Sequence, residues 1–251
     1  MKLPIGLQIF SVRDFAREDL LATLKAIKEM GYDGIELASL YGKTAQEFAE
    51  MINSVGLIPI SAHIQFNELL GDTDKIIEDY KTIGCKYIAL AWLNPDDRLD
   101  GVNGEKMITA VKDFAKKCLD AGIRFCYHNH DFEFKKIDGE YMFDLIYKAV
   151  PELYVEQDSC WVAVGGESPA GYLKKYKNRT PLLHLKDYVG SKADGSFELR
   201  PNGYGVQNFK EIISTAEQTG VEWLIVEQDS PSMNLNPMEC AKKSIEYLKG
   251  I

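Results

Sequence analysis

Five times along the chain an amphipathic helical stretch runs into a glycine and then into a short β-branched or aromatic run: KEMGYDGIEL, NSVGLIPISAH, KTIGCKYIAL, LDAGIRFCYH and EQTGVEWLIVE. Glycine is favoured just past a helix end because it accepts positive φ, so each marks a helix stop. The runs that follow are mostly apolar, as strands buried on both faces should be. ELYVEQD and TPLLHLK lack the glycine but follow Pro151 or contain Pro181, and LPIGLQIF supplies the first strand. The pattern therefore predicts eight strands, over 3–10, 33–38, 57–63, 86–92, 123–130, 153–158, 181–186 and 222–227, with helices such as Glu18–Met30, Thr44–Val55, Glu105–Asp120 and Gln207–Thr219 between them. Eight β–α units in 251 residues point to a (β/α)₈ TIM barrel, one domain over 1–251. A doubly wound open sheet is the alternative. It would carry a Gly-rich phosphate turn after its first strand, where this chain has SVRDFA.

Composition narrows the partners. The net charge of −9 and the dispersed Lys and Arg exclude the basic footprint that nucleic acid or an anionic membrane surface needs. No apolar run approaches the length of a membrane span, and the N-terminus MKLPIGLQIFSVRD meets charge too early for a signal peptide. The five cysteines are odd in number, scattered and free of any CxxC, which suits reduced thiols. The expectation is a cytoplasmic protein.

Catalytic groups of a barrel gather at the C-terminal ends of its strands. All four histidines fall there: His63 ends strand three, His128 and His130 end strand five, and His184 ends strand seven. A lone rim histidine is usually structural; four on one rim weaken that reading. Carboxylates join them. The pentapeptide VEQDS occurs at Val155–Ser159 and again at Val226–Ser230, at the ends of strands six and eight, and Glu36 ends strand two. Alternation puts Glu156 with Asp158, and Glu227 with Asp229, on common faces. Unpaired charges after buried strands are costly, so a metal or substrate partner is the economical explanation. A mixed imidazole–carboxylate site suits Mn²⁺, Co²⁺ or Zn²⁺ better than Mg²⁺.

The segments GYDGIEL, GIRFCYHNHDFEF, QDSCWVAVGG, LLHLKD and IVEQD, spread over the whole chain, resemble the xylose isomerase-like TIM barrels, which include sugar isomerases, ketose 3-epimerases, inosose dehydratases and endonuclease IV. The resemblance implies a divalent ion held from strands five to eight. It carries over to Asp158, His184 and Glu227, so that the Asp of the first VEQDS and the Glu of the second face one ion. On strand five the epimerases carry a glutamate; here that offset falls on His128, the fourth expected ligand. This departure disfavours a mechanism with two opposed glutamates and brings the chain nearer the inosose dehydratases, whose strand five is also His-rich after a Tyr.

The resemblance implies a metal-dependent sugar or sugar phosphate isomerase/epimerase, with Mn²⁺ the leading cofactor, that abstracts a proton next to a carbonyl through a metal-stabilised enediolate. A dehydratase or lyase acting on a keto-sugar or inosose is the alternative. Glu227 and His130 or His128 are the expected proton carriers. Gln8, Glu36, His63, Trp161 and Lys186 are the expected substrate contacts, with Trp92 a further lining residue and Glu156 either a deep barrel residue or a partner behind the ligands. The long segment Asp187–Val206 is expected to form a functional loop, and its Lys192, Arg200, Gly203 and Gly205 raise the question of phosphate binding. A homodimer is an expectation of the resemblance alone. An endonuclease IV-like phosphodiesterase would need more histidines and a more basic surface, and a non-catalytic sugar-binding barrel would show an eroded metal position.

Overall fold

The computed structural model describes residues 2–251. Eight parallel strands close into a barrel: β1 (Ile5–Gln8), β2 (Gly34–Leu37), β3 (Ile58–Ile64), β4 (Tyr87–Leu90), β5 (Arg124–His128), β6 (Tyr154–Asp158), β7 (Leu182–Leu185) and β8 (Trp223–Val226). Each pairs with its sequence neighbours, and β1 closes on β8 through Ile5–Leu224 and Leu7–Val226. All eight strands fall where the sequence pattern put them.

The main helices are α1 (Leu20–Met30), α2 (Ala45–Val55), α3 (Thr73–Ile83), α4 (Gly104–Asp120), α5 (Met142–Ala149), α6 (Pro169–Lys175), α7 (Phe209–Thr219) and α8 (Pro237–Lys249). Their starts are written in the sequence: Thr44 and Asn236 form capping boxes, and the side chains of Asp72 and Asn208 accept amides of the first turn. The five glycines that mark helix stops in the sequence pattern, Gly31, Gly56, Gly84, Gly122 and Gly220, all have positive φ, so that punctuation is a backbone requirement. The inward faces of the helices and the outward faces of the strands form the main core.

Inside the barrel the lower half is apolar. Ile60, Tyr87, Ala89, Cys126, Leu182 and Ile225 fill it. The N-terminal mouth is closed by Arg124, whose guanidinium donates to Glu222 at 2.6 Å while the Tyr87 hydroxyl donates to the same carboxylate at 2.6 Å. Gly34 is needed for close approach. A Cβ there would lie 2.6 Å from the Ile58 carbonyl oxygen and 2.9 Å from Ile60, so strands two and three meet only without one. The upper half of the interior is polar, and this division positions the site. No helix among the described residues is long and apolar enough to cross a membrane.

Candidate active site

Strand alternation sends Gln8, Glu36, Ser61, His63, His128, Glu156, Asp158 and His184 into the barrel, and Lys186 and Glu227 follow just beyond β7 and β8. Asp158 and His184 are register partners on adjacent strands. Glu227 lies one residue past the end of β8. The two VEQDS copies are thus used in different registers: the first is strand through its Asp, while the second leaves the strand at its Val.

These groups form two layers. The upper one comprises His128, Asp158, His184 and Glu227, each offering a ligand atom within 4.8 Å of the others. His184 Nδ1 lies 3.0 Å from Glu227 Oε2, and His128 Nε2 lies 3.9 Å from both Asp158 Oδ2 and Glu227 Oε2. Asp158 also caps the short helix Ser159–Val164 by accepting the Trp161 amide, and its own amide donates to Asn129 Oδ1. The ammonium of Lys186 sits among the carboxylates, 2.9 Å from Glu227 Oε2 and 3.2 Å from both Asp158 Oδ2 and Asp229 Oδ2.

The lower layer lies beneath the ligand rings. Glu36 is fully buried and accepts from Gln8 Nε2 at 2.8 Å and from the Ser61 hydroxyl. Its Oε2 is 2.7 Å from His184 Nε2. Glu156, also fully buried, places Oε2 2.6 Å from His63 Nε2 and 3.3 Å from His128 Nδ1. His63 Nε2 is shared, since it also lies 3.1 Å from Glu36.

Four buried carboxylates against one buried ammonium make the electrostatics uneven. Burial alone would depress the His63 imidazolium, but Glu36 and Glu156 override it and raise its pKa to about 10. Burial likewise works against His184⁺, and the same two carboxylates raise it. Burial pushes Asp158 up to about 6, against the pull of Lys186. Burial would also raise Glu227, yet Lys186 and His184 hold it well below the usual carboxylate range. His128 is lowered, by burial first and by its charged neighbours next.

Above both layers opens a cavity of about 470 Å³ lined by His63, His128, His130, Lys186, Glu227 and Asp229, with Phe10, Trp92 and Trp161 as apolar walls. His130 stands in an aromatic box: Trp92 meets it at a right angle with ring centroids 4.5 Å apart, and Phe132 and Trp161 stack with centroids at 5.7 and 5.8 Å. Burial, then Lys186, holds His130 well below its ordinary pKa. Its backbone amide donates to Glu133 Oε2 at 2.8 Å, and Tyr127 donates to the other oxygen at 2.6 Å, so Glu133 pins the turn. Sequence reading missed Glu133. The only available signal was its spacing of three after His130, the reach of a carboxylate to a backbone amide in a tight turn.

The long segment after β7 does close over the site. Asp187–Val189 and Glu198–Arg200 pair as an antiparallel hairpin, and Lys192 at its far end meets Asp131 at 2.6 Å and lies 4.5 Å over the Trp161 ring. The Gly-rich turn is a different matter. The amides of Gly203, Gly205 and Gln207, with that of Tyr188, all donate to the Asp187 carboxylate. An internal anion fills the position a phosphate would take.

A family model described as Xylose isomerase-like TIM barrel matches residues 24–251. The chain belongs to that family. Alignments to the first of its curated relatives span 48 to 53 % of those relatives' length. One aligned more fully is an inosose dehydratase of Klebsiella pneumoniae, 22 % identical over 259 residues, covering 87 % of this chain and 85 % of the relative. A solved sugar phosphate isomerase/epimerase of Parabacteroides distasonis is 25 % identical with TM-score 0.82, covering 99 % of this chain and 98 % of that one. A structure of the IOLI protein with a bound zinc atom superposes with TM-score 0.77 at 15 % identity, over 99 % and 97 % of the two chains.

Whether this xylose isomerase-like site fits a cation can be judged on its own atoms. Among the described residues, Asp158 Oδ2 in the upper cluster is buried without an aligned hydrogen-bond partner. Such an atom is rare in folded proteins and, beside ligand atoms of His128, His184 and Glu227 in one nitrogen–oxygen set, suits a divalent ion. Of the expected substrate contacts, His63, Trp161 and Lys186 line the cavity. Gln8 and Glu36 do not line it: both are fully buried, Gln8 Nε2 donates to Glu36, and Glu36 faces the His184 ring.

Proposed function

We propose that this barrel abstracts a proton next to the carbonyl of a sugar or cyclitol, and that elimination of a neighbouring hydroxyl, a dehydratase reaction, is the chemistry its site supports best. The observation that carries this reading is His130. It stands on the cavity wall with Nδ1 unpartnered. When bound, a divalent cation held by His128, Asp158, His184 and Glu227 would supply Lewis-acid polarisation of the carbonyl. The His130 imidazole takes the α-proton as base and returns it to the departing hydroxyl, so water leaves and the base is regenerated. Lys186 and Asp229 orient hydroxyls, and Phe10, Trp92 and Trp161 cover the C–H faces of the ring and exclude water. Glu227, expected to carry a proton, has Oε2 committed to Lys186 and His184, which favours its role as a ligand.

The names of relatives support both this reading and a second one. Proton return to carbon rather than loss of water gives isomerisation or epimerisation, and the likeness to the Parabacteroides distasonis isomerase/epimerase favours keeping it. The test is incubation of Mn²⁺-loaded protein with a panel of keto-sugars and inososes in D₂O. A conjugated enone absorbance supports elimination; deuterium incorporation without water loss supports the second reading. Neither signal with any member of the panel at saturating cation would sink both.

A further inference from the structure

The mechanism uses the upper layer and leaves two buried carboxylates, Glu36 and Glu156, unexplained. Neither lines the cavity, and desolvating a carboxylate is expensive unless its contacts repay it. Each instead approaches a ligand imidazole from the side facing away from the upper cluster. His184 presents Nδ1 to Glu227 and Nε2 to Glu36 at 2.7 Å; His128 presents Nε2 to Asp158 and Glu227 and Nδ1 to Glu156 at 3.3 Å. The contacts are close approaches rather than aligned hydrogen bonds, but a nitrogen 2.7 Å from a carboxylate oxygen turns its proton there, because two lone pairs at that distance repel. The carboxylates are themselves held in place, Glu36 by Gln8 and Ser61, and both by His63, which also lines the cavity.

We infer that Glu36 and Glu156 are positioning residues that hold His184 and His128 in the ring orientation and tautomer leaving His184 Nδ1 and His128 Nε2 free for a cation. The inference rests on the metal reading proposed above. Which nitrogen of a histidine binds a metal is set by the hydrogen bond of the other, and removing such a partner weakens affinity 10- to 100-fold. The rival reading makes the lower layer a second cation site, since His63, His128, Glu156 and His184 also offer ligand atoms within 4.8 Å. It is disfavoured because His128 and His184 serve both layers, and neither ring can give both nitrogens without losing every proton.

The test is calorimetric titration of Zn²⁺ into the full-length protein and its Glu36→Gln and Glu156→Gln variants, with ¹⁵N spectra of the four histidines in the Zn²⁺-loaded forms. The expected result is one equivalent in every protein, roughly 10- to 100-fold weaker binding in the variants, and wild-type His184 protonated on Nε2 and His128 on Nδ1. Ser61→Ala, which removes only a donor to Glu36, guards against misfolding and should weaken binding by a smaller factor. Unchanged affinity and tautomers in folded variants overturn the inference. Two equivalents in the wild type, with one lost in His63→Ala, overturn it in favour of a second cation site. A wild type that binds no Zn²⁺ overturns this inference together with the metal reading.

Discussion

Replacing Lys186 by methionine isolates the charge problem of this barrel. The ammonium is fully buried and lies within 3.2 Å of carboxylate oxygens on Asp158, Glu227 and Asp229. Methionine retains most of the stem volume, so packing is nearly preserved and the change is electrostatic. Two of the three carboxylates, Asp158 and Glu227, are buried and lose their one ammonium, whereas Asp229 keeps access to water. Breaking a buried pair from one side costs about 3–5 kcal/mol. For a chain of this size each kcal/mol shifts Tm by roughly 2–4 °C, so chelator-treated Lys186→Met should melt about 6 to 20 °C below wild type. A divalent cation would meet the same carboxylates with its competitor gone. Mn²⁺ at about 100 times its Kd adds roughly 2.7 kcal/mol to any protein that binds it, and at one fixed concentration the variant should gain more than the wild type. Thermal unfolding of both proteins with EDTA and with Mn²⁺ makes the comparison. A chelated variant within 2–3 °C of wild type, taking roughly 1 kcal/mol as the threshold, or an Mn²⁺ shift no larger than that of the wild type, refutes the reasoning.

Three further outcomes follow from the structure. Burial raises Glu133 from 4.5 to about 7, so the native state holds a proton that the unfolded chain releases; stability is full below about 4.5 and falls as pH rises through 7, by about 3 kcal/mol in all. Glu133→Gln should abolish that slope in urea titrations across pH 4.5 to 7.5. Gly34→Ala forces a Cβ to 2.6 Å from the Ile58 carbonyl and should cost about 1–3 kcal/mol by equilibrium denaturation; a neutral result would mean the strands part easily. Asp187→Ala strands four backbone amides and should speed hydrogen exchange across residues 188–207, while inorganic phosphate gives no compensating protection if that turn is only a turn.

The barrel was legible because its punctuation is local. Gly31, Gly56, Gly84, Gly122 and Gly220 end helices for a backbone reason, and the strand after each is short, apolar and of one period. The rim was legible too, since strand ends are fixed once strands are, and His63, His128, His130 and His184 could only gather there. What alternation could not give was depth. It says that Gln8, Glu36 and Glu156 point inward, but the height of each in the barrel depends on the stagger between strands, which no single strand encodes. Glu36 therefore read as a substrate contact when it lies under His184. Glu133 and Asp187 escaped for a related reason: both act by accepting backbone amides from folded turns, and those amides converge only in three dimensions. The strand-five departure, His128 for a glutamate, was visible in the sequence, and its neighbour His130 carries the proposed chemistry.

A cation in the upper cluster is central to the proposed chemistry. Asp158 belongs to that cluster alone, so elemental mass spectrometry of purified wild type beside Asp158→Ala, each equilibrated with Mn²⁺, Co²⁺ and Zn²⁺ and then desalted, tests it directly. Close to one equivalent of one of these metals is expected in the wild type, with a large loss in the variant. A wild type that retains none, or an Asp158→Ala protein that retains the full complement, contradicts it.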